Sequence, residues 1–574
     1  VYSRQQGDYV SIINKAIRFK RFELKENADL KLIIETNTGN RCEFRILNCS
    51  LSGISVVCDI EIQKNEGLAE DILIPSSKIK FEKEDHTLGR LLVRRLIIAN
   101  GQTKAAFSTI DNHIPVDGFL SKFIKGEIDT RKSAYDFELS PEKFSIHSFQ
   151  EVQNNVDLFH RMKQFQIYYD EWKNTNKFQY RNIRMPSKGE RVQLVQSRKG
   201  NRNDYIVMGS NDYLGLASEP QVLEAVKKAI DQYGFGSTGS PLTTGLSEVH
   251  EELCELIANI FGKEKATLFN SGYAANVGTM TGLTNAQDLI VADFYSHASL
   301  QDGIQMAKAT GRFFKHNDTK HLEKILREHR ESHIGSLIVT EGVFSMDGDT
   351  PPLKTISEIA KKTNSRIFLD EAHSFGVVGP KGLGCAKKYP DVKVDIIMGT
   401  FSKICGGIGA FIAADKEVIH WLNWYARSQM FTVSIPPSTA AAALTALKVF
   451  LSKPELVEKL KSNIQHFVNG LRELGCPINA NHESAVIPVI IGDERKMGIM
   501  NEVLKDNGVY VVPIIYPAVS KNNCRFRFTM MANHSVSDLD YVLAILEKAM
   551  HKADFKFVQK EELASREVKE KQIA

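Results

Sequence analysis

The residues best able to do chemistry in this chain stand directly after short apolar runs. Ile367-Phe-Leu leads into Asp370-Glu-Ala-His373-Ser-Phe-Gly376, and Ile396-Ile-Met leads into Gly399-Thr-Phe-Ser-Lys403-Ile-Cys-Gly-Gly407. A third run, Ala266-Thr-Leu-Phe, opens into Asn270-Ser-Gly-Tyr-Ala-Ala-Asn276, a small-residue turn whose amides and following helix N-terminus can hold a phosphate. Each has an ordinary reading by itself: an Asp after a strand caps a turn, a Lys beside glycines is a solvated charge, and Ser-Gly before a helix is a cap. Their combination points elsewhere. A phosphate cradle, a strand-end acid and a strand-end lysine are the protein's share of pyridoxal-phosphate chemistry, in which the lysine carries the cofactor as a Schiff base and the acid pairs with the pyridinium nitrogen.

These residues need a scaffold that brings strand ends together. After Asn211, amphipathic helices such as Val249 to Phe261 alternate with apolar runs at Leu337, Ile367 and Ile396, which implies α/β architecture with a mostly parallel sheet covered on both faces. In such sheets ligands sit beyond the carboxyl ends of the strands. Ahead of this region, residues 28 to 110 hold short β-rich runs (Leu30 to Glu35, Ile46 to Val57, Leu91 to Ala99) broken by turn signals, as in a small antiparallel unit. Phe149, Val152, Val156, Phe159 and Met162 recur at helical spacing, so Pro141 to Lys173 reads as an amphipathic connector. The expected division is 1–130, a small β-barrel; 131–200, the connector and the start of the enzyme; 201–555, the enzyme domain; and 556–574, a charged tail.

Composition removes several classes. With 574 residues, 43% apolar and 25% charged, the chain is globular and has more than one domain. A net charge of +4 without a basic run gives no reason to expect nucleic acid as a partner. The 8 cysteines form no CxxC or Cys/His cluster, which argues against a metal site and a disulfide framework and for a reducing cytoplasm. The most apolar stretch, Ser438 to Leu451, falls short of the roughly 18 residues a membrane span needs and reads as a buried helix. The chain begins at Val1 without a signal pattern, and a preceding piece is left open.

From about 150 to 550 the sequence resembles the α-oxoamine synthases, a fold-type I pyridoxal-phosphate family. The likeness rests on Ser210-Asn-Asp-Tyr-Leu-Gly-Leu216, Gly236-Ser-Thr-Gly-Ser240, Ser271 to Asn276, Ser296-His-Ala-Ser-Leu300, Glu341-Gly-Val-Phe-Ser-Met-Asp-Gly-Asp349, Asp370 to Gly376, Gly399 to Lys403 and Arg525-Phe-Arg527, all in family order. It implies a mostly parallel central sheet with a smaller C-terminal α/β domain. Lys403 would carry the cofactor and act as base at Cα, Asp370 would pair with the ring nitrogen, His373 would bond the phenolic oxygen, and His297 would stack on the ring. Ser271, Gly272, Tyr273, Thr400 and Ser402 would lie around the phosphate, with Thr432 lent across a homodimer interface. Arg527 would clamp the substrate carboxylate with its planar fork. The reaction implied is a decarboxylating condensation of an amino acid with an acyl thioester of CoA or acyl-carrier protein. The wording of four motifs is most similar to bacterial serine palmitoyltransferases, which favours serine over glycine or alanine and a long acyl chain. One departure is Pro241, where family members commonly have an arginine.

The N-terminal unit is similar to PilZ domains, which bind cyclic di-GMP. Asn48-Cys-Ser50-Leu-Ser-Gly53 carries one part of that likeness, and Arg18 and Arg21, separated by two residues where the family has three, carry the other. Two rival readings stand beside the main one: an aminotransferase on the same fold, and a non-catalytic subunit responsive to cyclic di-GMP.

Overall fold

The computed structural model describes residues 202–516 and 518–557, the backbones of the strands that precede them, and single positions between 159 and 184. Arg18, Arg21 and the tail beyond residue 557 lie outside the described residues. The chain divides into two units, Val1–Leu139 and Ser140–Ala574.

In the first unit, β1 (Phe22–Glu23), β2 (Lys31–Glu35), β3 (Arg41–Ser50), β4 (Gly53–Cys58), β5 (Leu73–Phe81), β6 (Glu84–Ala99) and β7 (Gln102–Thr109) pair antiparallel in the order β1-β3-β2-β5-β6-β7-β4, and β3 also pairs with β4. Asn48 and Ser50 fall in β3, and Gly53 opens β4 opposite Ser50. Of the expected connector, Met162, Phe165, Gln166, Tyr169 and Asp170 are helical. The rings of Phe165 and Tyr169 lie 5.9 Å apart, one helical turn on.

The second unit is built on seven strands: β11 (Lys265–Phe269), β12 (Asp288–Asp293), β13 (Thr310–Phe314), β14 (Gly335–Glu341), β15 (Arg366–Asp370), β16 (Ile396–Thr400) and β17 (Ala410–Ala414). Their order is β11-β17-β16-β15-β14-β12-β13, and β17 alone runs against its neighbours. The apolar runs at Leu337, Ile367 and Ile396 are β14, β15 and β16, buried along almost their whole length, as expected of strands covered on two faces. Helices supply the covers: α1 (Pro220–Tyr233), α2 (Glu248–Phe261), α3 (Gly272–Leu283), α4 (Ala298–Met306), α5 (Thr319–His329), α6 (Leu353–Lys362), α7 (Lys416–Tyr425), α8 (Pro437–Ser452) and α9 (Glu455–Glu473). The apolar stretch at 438–451 is the buried helix α8, with Ala440, Leu444 and Leu447 inside. No helix among the described residues is long and apolar enough to cross a membrane.

Two smaller sheets flank the centre. One has the order β19-β10-β9-β8, from β8 (Ile183–Arg184), β9 (Arg191–Val195), β10 (Arg202–Val207) and β19 (Val509–Tyr510). The other has the order β18-β21-β20, from β18 (Val486–Ile490), β20 (Pro513–Ile514) and β21 (Arg525–Thr529), with helices α10 (Glu494–Asp506) and α11 (Val536–Lys552).

The floor beneath the strand ends is aromatic. Phe375 lies 4.9 Å from Phe261 and 6.2 Å from Phe411, and Phe401 lies 5.7 Å from Phe411. Phe375, Phe401 and Phe411 are all buried, and each such side chain contributes about 2 kcal/mol over an exposed one. This packing dictates Gly399, because a Cβ there would stand 2.3 Å from the Phe411 ring. The turn that returns the chain past Lys403 needs Gly406, which has φ +61 and would otherwise press a Cβ to 2.4 Å from Ala217.

Candidate active site

The carboxyl ends of β11, β12, β14, β15 and β16 open on one edge of the central sheet, and the residues singled out from sequence gather there. Asp370 ends β15, buried at 4% exposure; its Oδ2 accepts from Asn276 Nδ2 at 2.9 Å and its Oδ1 from the Ala372 amide at 2.9 Å. Thr400 ends the neighbouring β16, where its hydroxyl bonds Ser402 Oγ and the Gly409 carbonyl, both at 2.9 Å, closing the loop that presents Lys403. Burial lowers the Lys403 pKa and Arg527 adds to the effect, while Asp370 and Glu341 oppose it. A lysine that gives up its proton more readily has more of its free amine, the form that acts as nucleophile and base, near neutral pH.

Helix α3 begins at this edge. Ser271 is its N-cap and accepts from the Ala274 amide at 3.1 Å, which leaves the amides of Gly272 and Tyr273 in the first turn, with no acidic side chain there. That end of the helix favours an anion. The Tyr273 side chain turns outward to Asp302, so its contribution to the cradle is backbone. Thr432 bonds Asn270, just before the cradle, at 2.9 Å within the same chain.

His297 is the N-cap of α4. Its amide donates to Glu341 at the end of β14, and its Nδ1 lies 2.8 Å from Ser299 Oγ and accepts from the Ser299 amide at 3.3 Å. Ser299 Oγ accepts from Asn276, so a buried chain of hydrogen bonds runs from His297 through Ser299 and Asn276 to Asp370. Burial lowers the His297 pKa, as does Lys403. His373 is buried at 7% exposure, and burial with the Lys403 and Arg527 charges pushes its pKa well below the ordinary value; its Nδ1 lies 2.6 Å from the Tyr213 hydroxyl.

Two arginines of β21 face the 345–347 loop and do different work. Arg525 is buried, its Nη1 donating to the Met346 carbonyl at 2.9 Å and to Asp347 at 2.7 Å and its Nε to the Asn523 carbonyl at 3.0 Å. Arg527 donates Nε to the Ser345 carbonyl at 2.6 Å and reaches Asn211 Oδ1 only at 3.4 Å. Asn211, Tyr213, Asn276, Ser299 and Glu341 all stand in motifs quoted from the sequence, yet the sequence assigned them no role; only their convergence in space does so. No group of side chains suited to a metal occurs among the described residues.

These residues fit pyridoxal phosphate: a buried acid backed by amide donors, a lysine just beyond the adjacent strand, a histidine whose Nε2 has no protein partner among the described residues, and a helix N-terminus free of acids. With a seven-stranded sheet of this order, they define a fold-type I pyridoxal-phosphate enzyme.

Residues 203–546 match the family model for aminotransferase class I and II. The chain is 33% identical over 392 residues to 4-hydroxy-2,2'-bipyrrole-5-methanol synthase PigH of Serratia, covering 68% of this chain and 60% of that protein. It is 37% identical over 349 residues to the 8-amino-7-oxononanoate synthase of Treponema denticola (61% and 88% covered) and 37% over 345 residues to the serine palmitoyltransferase of Bacteriovorax stolpii (60% and 82%). A solved serine palmitoyltransferase with PLP as internal aldimine superposes with a TM-score of 0.66 at 29% identity, covering 69% of this chain and 99% of that one. The chain belongs to the aminotransferase class I and II family and, within it, to the pyridoxal-phosphate-dependent acyltransferases known as α-oxoamine synthases.

Proposed function

We propose that the protein condenses a small L-amino acid, serine first, with a long-chain acyl thioester of CoA or acyl-carrier protein, releasing CO2 and giving an aminoketone. The observation that carries this reading is the convergence of Lys403, Asp370, His297 and Arg527 around the N-terminus of α3. Bound pyridoxal phosphate supplies the electron sink for the pair released at Cα. Lys403 Nζ would hold the cofactor at rest and then take the Cα proton, its lowered pKa leaving more of it as the free amine. Asp370 would pair with the ring nitrogen, and His373 would bond the phenolic oxygen. His297 would stack on the ring with Nε2 available to the thioester carbonyl, since its Nδ1 is an acceptor for Ser299. Arg527 receives the substrate carboxylate. Gly272 and Tyr273 amides, with Ser271, Thr400 and Ser402, hold the phosphate.

The chain works as a homodimer in which Thr432 serves the neighbouring site. Support comes from large exposed apolar side chains beside the site's own segments: Phe431 at 68%, Phe294 at 61% and Val433 at 49% exposure. The first unit is a PilZ-like β-barrel, a reading supported by the β3–β4 pairing that returns its strand order upon itself and by the Ser50–Gly53 hairpin; its role is either to take cyclic di-GMP or to serve as an interaction module without a nucleotide. A cytoplasmic site of action is in keeping with both.

Two measurements test the main reading. Borohydride should fix the cofactor to a peptide containing Lys403, and Lys403→Ala should lose attachment and turnover together; fixation to another peptide refutes the assignment. Product mass spectrometry with serine, glycine and alanine against a ladder of acyl thioesters tests the substrates, and an aminated product without CO2 loss would favour the aminotransferase alternative.

A further inference from the structure

Among the described residues, one side chain hydrogen-bonds the His373 ring. The Tyr213 hydroxyl lies 2.6 Å from Nδ1, and Nε2 makes no protein hydrogen bond among the described residues. Tyr213 is 0% exposed, its amide donates to the Asn211 carbonyl at 2.9 Å, and its carbonyl accepts from the Ala532 amide at 2.7 Å. The scaffold therefore sets the position of this hydroxyl, and the imidazole conforms to it.

Such a pair has two arrangements. In one, Tyr213 donates to Nδ1 and the neutral ring carries its proton on Nε2. In the other, Nδ1–H donates to the tyrosine oxygen and Nε2 is a bare acceptor. His373 is neutral, because burial and the nearby charges of Lys403 and Arg527 oppose a second proton. The second arrangement needs a new acceptor for the tyrosine proton, and the one at hand, Asn211 Oδ1, is 3.4 Å away. Distance decides between them. Nδ1 at 2.6 Å is a far closer acceptor than Asn211 Oδ1 at 3.4 Å, so the hydroxyl proton goes to Nδ1.

We propose that Tyr213 is a positioning residue that fixes His373 as the Nε2–H tautomer and so makes its Nε2 a donor toward the phenolic oxygen of the cofactor. The inference rests on the reading that His373 faces that oxygen. Each donor in the line strengthens the next: the hydroxyl polarises the imidazole, and Nε2–H becomes a better donor to an oxygen that carries negative charge. That charge also retains the proton on the lysine-bound cofactor's imine nitrogen. Weakening the donor therefore raises the pH at which the visible band changes form.

Tyr213→Phe keeps the ring and removes the hydroxyl. In the full chain with cofactor, the transition of the visible band should move up by about one pH unit, a tenfold change, as expected for one hydrogen bond to a charged group. Asp370, Lys403, His297, Glu341 and Arg527 face the same site and are common to both proteins. Tyr213→Phe combined with His373→Gln should shift the band no further than His373→Gln alone, because the tyrosine acts through the histidine. Nitrogen NMR of the histidine-labelled full chain without cofactor gives a separate readout, with the His373 signals assigned by their loss in His373→Gln. The ring should be protonated at Nε2 in the parent and lose that preference in Tyr213→Phe. Additive band shifts, or a parent ring protonated at Nδ1, overturn the proposal. The nitrogen measurement reads the tautomer whether or not His373 faces the cofactor oxygen, so failure of that reading would show in the band alone.

Discussion

His316 is the residue whose replacement should reveal most about how the substrate side of the site is held. It lies outside the sequence motifs, with Nδ1 3.0 Å from Asp293 at the end of β12 and Nε2 2.8 Å from Asp349 in the loop after β14. Its ring stacks on Tyr295 at 4.5 Å and meets Phe344 edge-on. Burial by itself would lower its pKa, but the two carboxylates overcome this and raise it from 6.5 to about 10. At about 1.4 kcal/mol per pH unit, that rise corresponds to about 5 kcal/mol as an upper bound. The sign follows from the folded value lying above the unfolded one: the stabilisation is complete below pH 6.5, shrinks as pH rises, and is gone above about 10. His316→Gln should therefore be several kcal/mol less stable than the parent at pH 6, and the gap should close steadily toward pH 10. Paired denaturant melts of the two proteins at each pH measure it, differences being more secure than absolute values for a chain of this size. A gap that is constant between pH 6.5 and 9.5 would refute the reasoning. Because the 345–347 loop that follows Phe344 also positions Arg527, the variant should raise the amino acid's KM more than it lowers kcat.

Arg527→Lys keeps the charge but loses the fork, and should weaken serine, glycine and alanine alike by tenfold or so in spectral titrations; an effect on one amino acid alone would show that Arg527 reads the side chain. Asn276→Ala removes a donor to the Asp370 carboxylate and should cost about 1.5–3 kcal/mol in cofactor binding, measured as a ten- to hundredfold rise in its dissociation constant. Glu341→Gln should gain stability relative to the parent as pH rises from 4.5, because a carboxyl whose folded pKa is raised weakens the fold once solution pH favours its ionisation; paired melts check this. A chain starting at Ser140 should keep its visible band and turnover, and calorimetry with the 1–139 fragment tests cyclic di-GMP directly, Arg21→Ala lowering affinity ten- to a hundredfold if the nucleotide binds.

The enzyme half was legible because parallel strands buried on both faces are continuous apolar runs, and a polar residue after such a run has to lie at the sheet edge. Lys403 and Asp370 stood out by that position taken together with the small-residue turn at 270–276, whereas the role of His373 came from the family likeness. Arg527 could be separated from Arg525 only by the family likeness; the structure supplies the physical reason, since Asp347 and the Met346 and Asn523 carbonyls occupy Arg525 Nη1 and Nε. Tyr213 and Glu341 were invisible as functional groups because their partners are 160 and 44 residues away in sequence. His316 had no signal at all: a histidine before Asn317-Asp318 reads as a loop residue until the fold brings Asp349 to it.

The two strand-end carboxylates show how environment divides roles between like groups. Parallel pairing of β14 with β15 sets Glu341 directly opposite Asp370, and both side chains are buried. Burial and the Asp370 charge push the Glu341 pKa well above the usual carboxylate range, so Glu341 keeps its proton and serves as the acceptor that fixes the His297 amide. Asp370 instead receives a donor on each oxygen, Asn276 Nδ2 on Oδ2 and the Ala372 amide on Oδ1. A ring nitrogen needs a charged partner and a helix N-cap needs only an acceptor. Strand register sets the two carboxyls side by side, and the donors around each divide the work: Glu341 accepts from the His297 amide and Asp370 from Asn276 and Ala372.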